Sequence, residues 1–426
     1  MELQPQTNSL KRSFPKVIFI LFSLFALYLV MPLVDVPLLG LSLSAPIFFV
    51  IAITCILRPP RPWFHAYRNW ILISVLIWAG IFISTAANDL ISGGATINSK
   101  SISLLIHFAY WMLVFVITTY FASQGDVLRR ICHVLAWGVL GLAFIRWLEI
   151  VLFGNFGIQI RTHWLSQNSY GFLFSAFSPF LLLIILEEKG RKKIFGILGN
   201  LVLWTVIVIN GSRGSWVSIA FGLTLCLIFL ILSQPNKFAS LAAIMVFIVG
   251  LIGFAWGAFP QVTSIIVERF NTFETLETDR SYLIRQLMIQ KGLRLFEQSP
   301  LIGVGLGRFT KSFANLNLPE ALTYANQSYF NDISAHNSYL DLLAESGLAG
   351  TVPFGILLIT LTWMGFKSAY HSSRKRKYWI LITYLSFIQM SVHMWVITSL
   401  ANTANWFIYG LTAAAVIVSS KKDFPL

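Results

Sequence analysis

The chain has 426 residues, of which 56% are hydrophobic and only 11% charged, and its mean hydropathy is +0.73. That balance excludes an ordinary soluble domain. The net charge of +14 (31 Lys and Arg against 17 Asp and Glu) would point to nucleic acid if it formed one patch, but the basic residues fall in short clusters between apolar runs.

The first run follows Lys11, Arg12 and Lys16 and continues to about Val34 with no small-residue cleavage site after it, so it reads as a retained span rather than a signal peptide. Apolar runs of bilayer-crossing length then recur at about 15–34, 37–57, 69–85, 102–122, 131–153, 170–186, 193–209, 215–233, 238–259, 351–367, 378–399 and 403–419. The expectation is an all-α polytopic membrane protein of about twelve transmembrane helices. Cys55, Cys132 and Cys226 lie in or beside these runs, far apart, and read as buried thiols without disulfide or zinc spacing. Arg146 and Glu149 stand three apart inside a run and are placed to pair across one helical turn. His107 and His133 read as packed or near headgroups, and His393 has no partner visible in the sequence.

Loop charge supplies an orientation. Starting with the N-terminus inside, the cytoplasmic segments hold Lys11, Arg12 and Lys16, then Arg58, Arg61 and Arg68, then Arg129 and Arg130. Lys189, Arg191, Lys192 and Lys193 follow, then Lys237, Lys367, the basic run 374–377, and Lys421 with Lys422. The short loops opposite carry Lys100, Arg161 and Arg213 alone. This alternation is the positive-inside pattern, and the basic excess then faces an anionic inner leaflet. Both termini come out cytoplasmic. The chain divides into an N-terminal bundle of about nine spans (1–260), one long external loop (261–350) and about three C-terminal spans (351–426).

Within the loop, 278–299 reads as an amphipathic helix of the kind that lies on a membrane surface. Leu283, Leu287, Ile289, Leu293 and Leu295 give its apolar stripe, and Arg280, Arg285, Lys291 and Arg294 its charge. Gly303, Gly305 and Gly307 follow Pro300. With no preceding βαβ strand and no P-loop Lys-Ser/Thr, they predict a turn of close backbone packing rather than a nucleotide loop. Residues 315–330 are polar and aromatic without a period, and predict an irregular loop that shapes a site. The stretch 335–350, AHNSYLDLLAESGLAG, places Tyr339, Leu340 and Leu343 at helical spacing, with Asn337 as cap and Gly347 as terminator. Glu345 is nine positions after His336 and so on the opposite helix face, which predicts an internal salt bridge rather than a dyad with His336.

Ser212-Arg213-Gly214-Ser215 in a short outer turn, a helix with Arg285, Pro300 followed by GVGLG, and HNSYLDLLAESGLAG together resemble the bacterial O-antigen ligase family. That family also holds polysaccharide polymerases and protein O-oligosaccharyltransferases. The resemblance implies a metal-independent, cofactor-free glycan transferase at the periplasmic face of the bacterial inner membrane. Its donor would be an undecaprenyl-diphosphate-linked glycan. Its acceptor would be a hydroxyl of lipid A-core for a ligase, or a second carrier-linked glycan for a polymerase. It implies His336 as the catalytic residue and Arg213 and Arg285 as diphosphate binders, with Arg280 competing for the Arg285 role. Arg161, His163 and Asn168 match a family stretch only loosely.

Topology alone puts Arg213, Arg285 and His336 on one side of the membrane. Arginine bonds phosphate oxygens in pairs and stays charged, and histidine accepts a proton near neutral pH. The rival readings are a transporter or flippase for the same lipid-linked glycan, which predicts broken helices in matching halves, and a non-catalytic scaffold, which should tolerate His336→Ala. Nucleic acid is not an expected partner.

Overall fold

The computed structural model describes residues 16–32, 44–57, 63–91, 99–124, 126–153, 167–239, 279–322, 327–375 and 377–420, and isolated positions between 241 and 267. Lys11, Arg12, Arg161, His163, Lys421, Lys422 and most of the ninth apolar run lie outside these residues.

Apolar sequence in a bilayer must satisfy its backbone internally, and every described apolar run is helical over most of its length. The helices are α1 (Lys16–Val30), α2 (Ser44–Leu57), α3 (Trp63–Ile91), α4 (Ser99–Ala122), α5 (Val127–Phe153), α6 (Gln167–Glu187), α7 (Gly190–Asn210) and α8 (Arg213–Ser233). Then come α9 (Arg280–Gln298), a 3-10 turn (Glu320–Leu322), α10 (Gln327–Asn331), α11 (Ser338–Arg374), α12 (Tyr378–His393) and α13 (Thr403–Ser420). There is no strand among the described residues. Eight helices (α3 to α8, α11 and α13) are long and apolar enough to cross a membrane, whereas α1 and α2 are shorter. The protein is an all-α polytopic membrane protein. One predicted span is cut short: the 378–399 run leaves the helix at His393 and continues as turns, because Ser338 holds its last residues as described below.

Two helices sit in the middle. α6 is buried from Tyr170 to Leu186 and is wrapped by α5, α7, α8 and α12. α13 is buried from Ala404 to Val418 against α4, α11 and α12. With no hydrophobic drive between helices in lipid, contacts of small and polar side chains join them. Ser175 meets Ser218 at 2.9 Å, Ser178 donates to Gln389 at 3.1 Å, and Ser419 donates to Ser368 at 2.7 Å. Large apolar side chains such as Val217, Phe221, Ile356, Ile359 and Trp363 point outward instead. The Arg146–Glu149 pair forms as its spacing predicts, at 3.0 Å, and the Tyr170 hydroxyl donates to the same Glu149 oxygen at 3.0 Å.

The bundle has two chemically different ends. At one, Arg129 and His133 meet Glu187, and Lys237 donates to the Leu186 carbonyl. α8 begins at the other end, and there α9 to the start of α11 build a second apolar core. Its members include Leu283, Leu287, Met288, Leu295, Phe309, Leu316, Phe330 and Ala344. The stripe of α9 is therefore covered by the chain that follows it rather than laid on a membrane. Ile289 and Leu293 fall outside that stripe and are 46% exposed. Lys291, read from the sequence as surface charge, is 0% exposed. It donates to the Asn331 carbonyl, and burial lowers its pKa to about 8 against the opposing charge of Asp332.

The glycine-rich segment clamps the entry to α11. Gly347 has φ 57° and ψ −154° inside α11, which breaks the helix there as the sequence suggests. A break frees backbone groups that need partners. Residues 300–305 supply them: Val304 and Gly305 donate to the Ala344 and Glu345 carbonyls at 3.0 and 2.9 Å, and Leu348 and Ala349 donate to Pro300 and Leu301 at 2.9 and 3.0 Å. The Glu345 carboxylate accepts from the Gly307 and Phe309 N–H groups at 2.8 and 2.9 Å and makes no ion pair among the described residues. The expected salt bridge is replaced by backbone donors because the turn wraps directly over Glu345. From α3, Asn88 donates to the Gly303 carbonyl at 3.0 Å and Asp89 pairs with Arg308.

Candidate active site

Chain reversal after α7 fixes the first arginine. Gly211 caps α7 in the left-handed region at φ 68°, Ser212 precedes α8, and Arg213 is its first residue. Asp279 is the N-cap of α9 and accepts from the Tyr282 N–H at 2.9 Å. Its other oxygen accepts from the Arg213 guanidinium at 2.9 Å, so one carboxylate joins the two helix starts. Burial raises the Asp279 pKa, but the Tyr282 N–H and Arg213 outweigh it and hold the carboxyl below its usual range.

Arg285 lies further along α9 on the same side. It is partly buried and makes no ion pair among the described residues. Burial and the nearby charge of Arg213 lower its pKa, with Asp279 opposing. Arg213 and Arg285 line a cavity of about 220 Å³, together with Gln167, Asn168, Ser281, His393 and the Gly211–Gly214 turn. Val396 and Ile397 complete its wall.

His336 stands just before α11 with φ 49°, and it is the single non-glycine residue with positive φ among those described. Such a backbone persists only where its neighbours over-determine it. Here they do. Asn337 caps α11 by accepting from Tyr339 and Leu340 at 3.0 and 3.1 Å. Ser338 is tied three ways to the segment after α12: its N–H donates to Met394 at 2.9 Å, its hydroxyl donates to Ile397 at 2.7 Å, and that hydroxyl accepts from Ser399 at 2.8 Å. The same segment contributes Val396 and Ile397 to the cavity wall, so His336 is anchored beside the cavity without being one of its lining residues. Burial first, and then the charge of Arg285, lower the His336 pKa below 6.5. The shift favours the neutral imidazole, the form that accepts a proton.

Residues 198–355 match the family model described as O-Antigen ligase. The likeness covers part of the chain, from within α7 to within α11. No curated protein matches it. At family level the match supports a glycan-transferring membrane enzyme of the O-antigen ligase or polymerase type, with a lipid-linked glycan and an acceptor as partners. The matched segment contains Arg213, Arg280, Arg285 and His336. Three of these four come together; Arg280 is exposed, reaches the Tyr329 hydroxyl at 3.4 Å and does not line the cavity.

The sequence did not point to Asp279 or Gln167 as site residues, and it showed His393 only as a histidine without a partner. Asp279 had a readable signal, a capping residue just before a helix. Gln167 had none; it packs on the α7 end, donating to the Asn210 carbonyl at 2.6 Å. His393 was visible only as a polar residue in an apolar run. Among the described residues no group of three or more His, Cys, Asp or Glu side chains is placed to hold a metal ion.

Proposed function

We propose that this protein transfers a glycan from a lipid diphosphate, undecaprenyl diphosphate by the resemblance of its motifs, to an acceptor hydroxyl at the outer face of the bacterial inner membrane. The observation that carries the proposal is Arg285, a partly buried guanidinium that makes no ion pair among the described residues, lining a cavity shared with Arg213 and standing close enough to His336 to lower its pKa. A cation held this way is poised for an anion.

In the proposed reaction the acceptor oxygen attacks the anomeric carbon of the donor sugar. The bond from that carbon to the diphosphate oxygen breaks, and its electron pair stays on the diphosphate. The acceptor proton passes to the neutral imidazole of His336 and from there to water. Arg285 and Arg213 stabilise the charge that grows on the leaving group, and a single such fixed donor contributes about 3–4 kcal/mol. Asp279 holds Arg213 in place. Attack from the face opposite the diphosphate inverts the anomeric centre. The energy comes from the activated donor, so the step needs no ATP.

Ligation to lipid A-core is the first form of this reading and polymerisation on a carrier-linked repeat is the second. Purified protein supplied with undecaprenyl-diphosphate glycan, EDTA and either acceptor separates them. Product on lipid A-core establishes the ligase, and a ladder of carrier-linked glycans the polymerase. No product with either acceptor, from protein that binds the donor, overturns the transferase.

A further inference from the structure

His393 ends α12 inside the bundle, is 2% exposed, and lines the same cavity as the two arginines. Its Nδ1 is buried and has no hydrogen-bond partner among the described residues. Buried polar atoms are nearly always paired, and one left unpaired beside a cavity calls for an explanation. The ring is held in place from two sides. It lies near-parallel to Phe172, with centroids 6.3 Å apart and planes at 21°. Its Cδ2 and Nε2 edge rests against Gly214, where even a methyl group would stand 3.1 Å from either atom. The ring is therefore fixed in the cavity wall, and one of its nitrogens has no partner among the described residues.

The charged groups around it are the guanidiniums of Arg285, across the cavity, and of Arg213, beside Gly214. Arg213 already shares Asp279, and among the described residues Arg285 has no ion pair. An anion drawn there meets two guanidiniums and one imidazole. A histidine in this company supplies an N–H donor to an oxygen between the arginines.

We propose that His393 is a third phosphoryl-binding residue, donating a ring N–H to the diphosphate held by Arg213 and Arg285. The proposal rests on the lipid-diphosphate reading above and adds to it a residue outside the matched 198–355 segment. His393 would contact the donor at its phosphate, whereas His336 acts on the acceptor proton. Its replacement is therefore expected to weaken donor binding rather than abolish turnover of bound donor. Gly214 would be needed for contact: a Cβ there would also come within 2.4 Å of Val396.

The test is equilibrium binding of two probes, undecaprenyl diphosphate and inorganic pyrophosphate, to the full chain in detergent. The variants are wild type, His393→Phe, His393→Asn and Arg285→Ala, each with its melting temperature measured. His393→Phe keeps an aromatic ring on Phe172 and removes the donor; His393→Asn keeps a donor. Losing a hydrogen bond to a charged group predicts about a tenfold to hundredfold rise in Kd for His393→Phe, with recovery of most of that loss in His393→Asn. Both probes are expected to weaken together, because both carry the diphosphate; a change limited to the lipid probe would place His393 against the isoprenyl chain and overturn its phosphoryl role. If Arg285→Ala weakens binding and folded His393→Phe does not, the role of His393 is overturned while the diphosphate reading stands. If neither arginine nor histidine matters, both fall. Should His393→Phe fail to fold, His393→Leu, which also lacks a donor, decides by the same criterion.

Discussion

His336 is held in a backbone conformation that histidine rarely adopts, between a buried Ala335 and the capping Asn337. Its lowered pKa has a direct kinetic consequence. The neutral form is the base, so it is fully present above its pKa and lost as pH falls through it. The acidic limb of kcat/KM is expected to fall below pH 6.5, the value of an ordinary histidine; a limb at or above that value would remove His336 as the base. Arg285→Ala is expected to lower turnover by about 10²–10³-fold. Arg285→Lys restores part of that, because lysine provides a point charge without the planar fork. Equal loss in both variants would make the fork essential; no loss in either would put the leaving-group charge elsewhere. The motif residues were legible in the sequence as types with a chemistry. Which arginine faces the cavity was not, since Arg280 and Arg285 stand five residues apart on one helix and only the packing of α9 separates exposed from inward-facing.

Elements carry the site through the join at Gly347. Its φ of 57° with ψ −154° suits glycine alone, and a Cβ there would lie 2.6 Å from the Gly303 nitrogen. Gly347→Ala is expected to cost at least about 1–3 kcal/mol from backbone strain, read as a fall in melting temperature; an unchanged melt would show that the kink relaxes freely. Glu345→Ala leaves the Gly307 and Phe309 N–H groups without their acceptor, at about 1–3 kcal/mol each. The opened turn should then be cut faster by protease, and wild-type resistance would contradict its role as a latch. The helix break at Gly347 could be read from the sequence, because local conformation decides it. The backbone pairing of 300–305 across that break could not, because it joins residues some forty apart and leaves no periodic trace. For the same reason Glu345 looked like half of an ion pair.

For the whole molecule, the bilayer makes much of the fold readable: spans need a fixed length of apolar sequence, and charge alternates between their ends. Each described apolar run is helical over most of its length. The convergence of α6, α8, α9 and the end of α12 on one cavity is a matter of tertiary packing; of its lining, the arginines with the turn around Arg213 were expected, and Asn168 only loosely. The proposed orientation is testable in a chain freed of Cys55, Cys132 and Cys226. A cysteine placed at Phe313, which is 62% exposed in the loop, should react with a membrane-impermeant maleimide in intact spheroplasts. One at Lys192 should react only after lysis; the reverse pattern would invert the protein. The measurement that tests the central claim most directly is transfer by the purified chain and by His336→Ala, each first shown to bind undecaprenyl-diphosphate glycan. Product from wild type, with turnover reduced about 10²–10⁴-fold in a variant that still binds donor, is the predicted result. Undiminished transfer by His336→Ala would contradict it and move the chemistry away from this histidine.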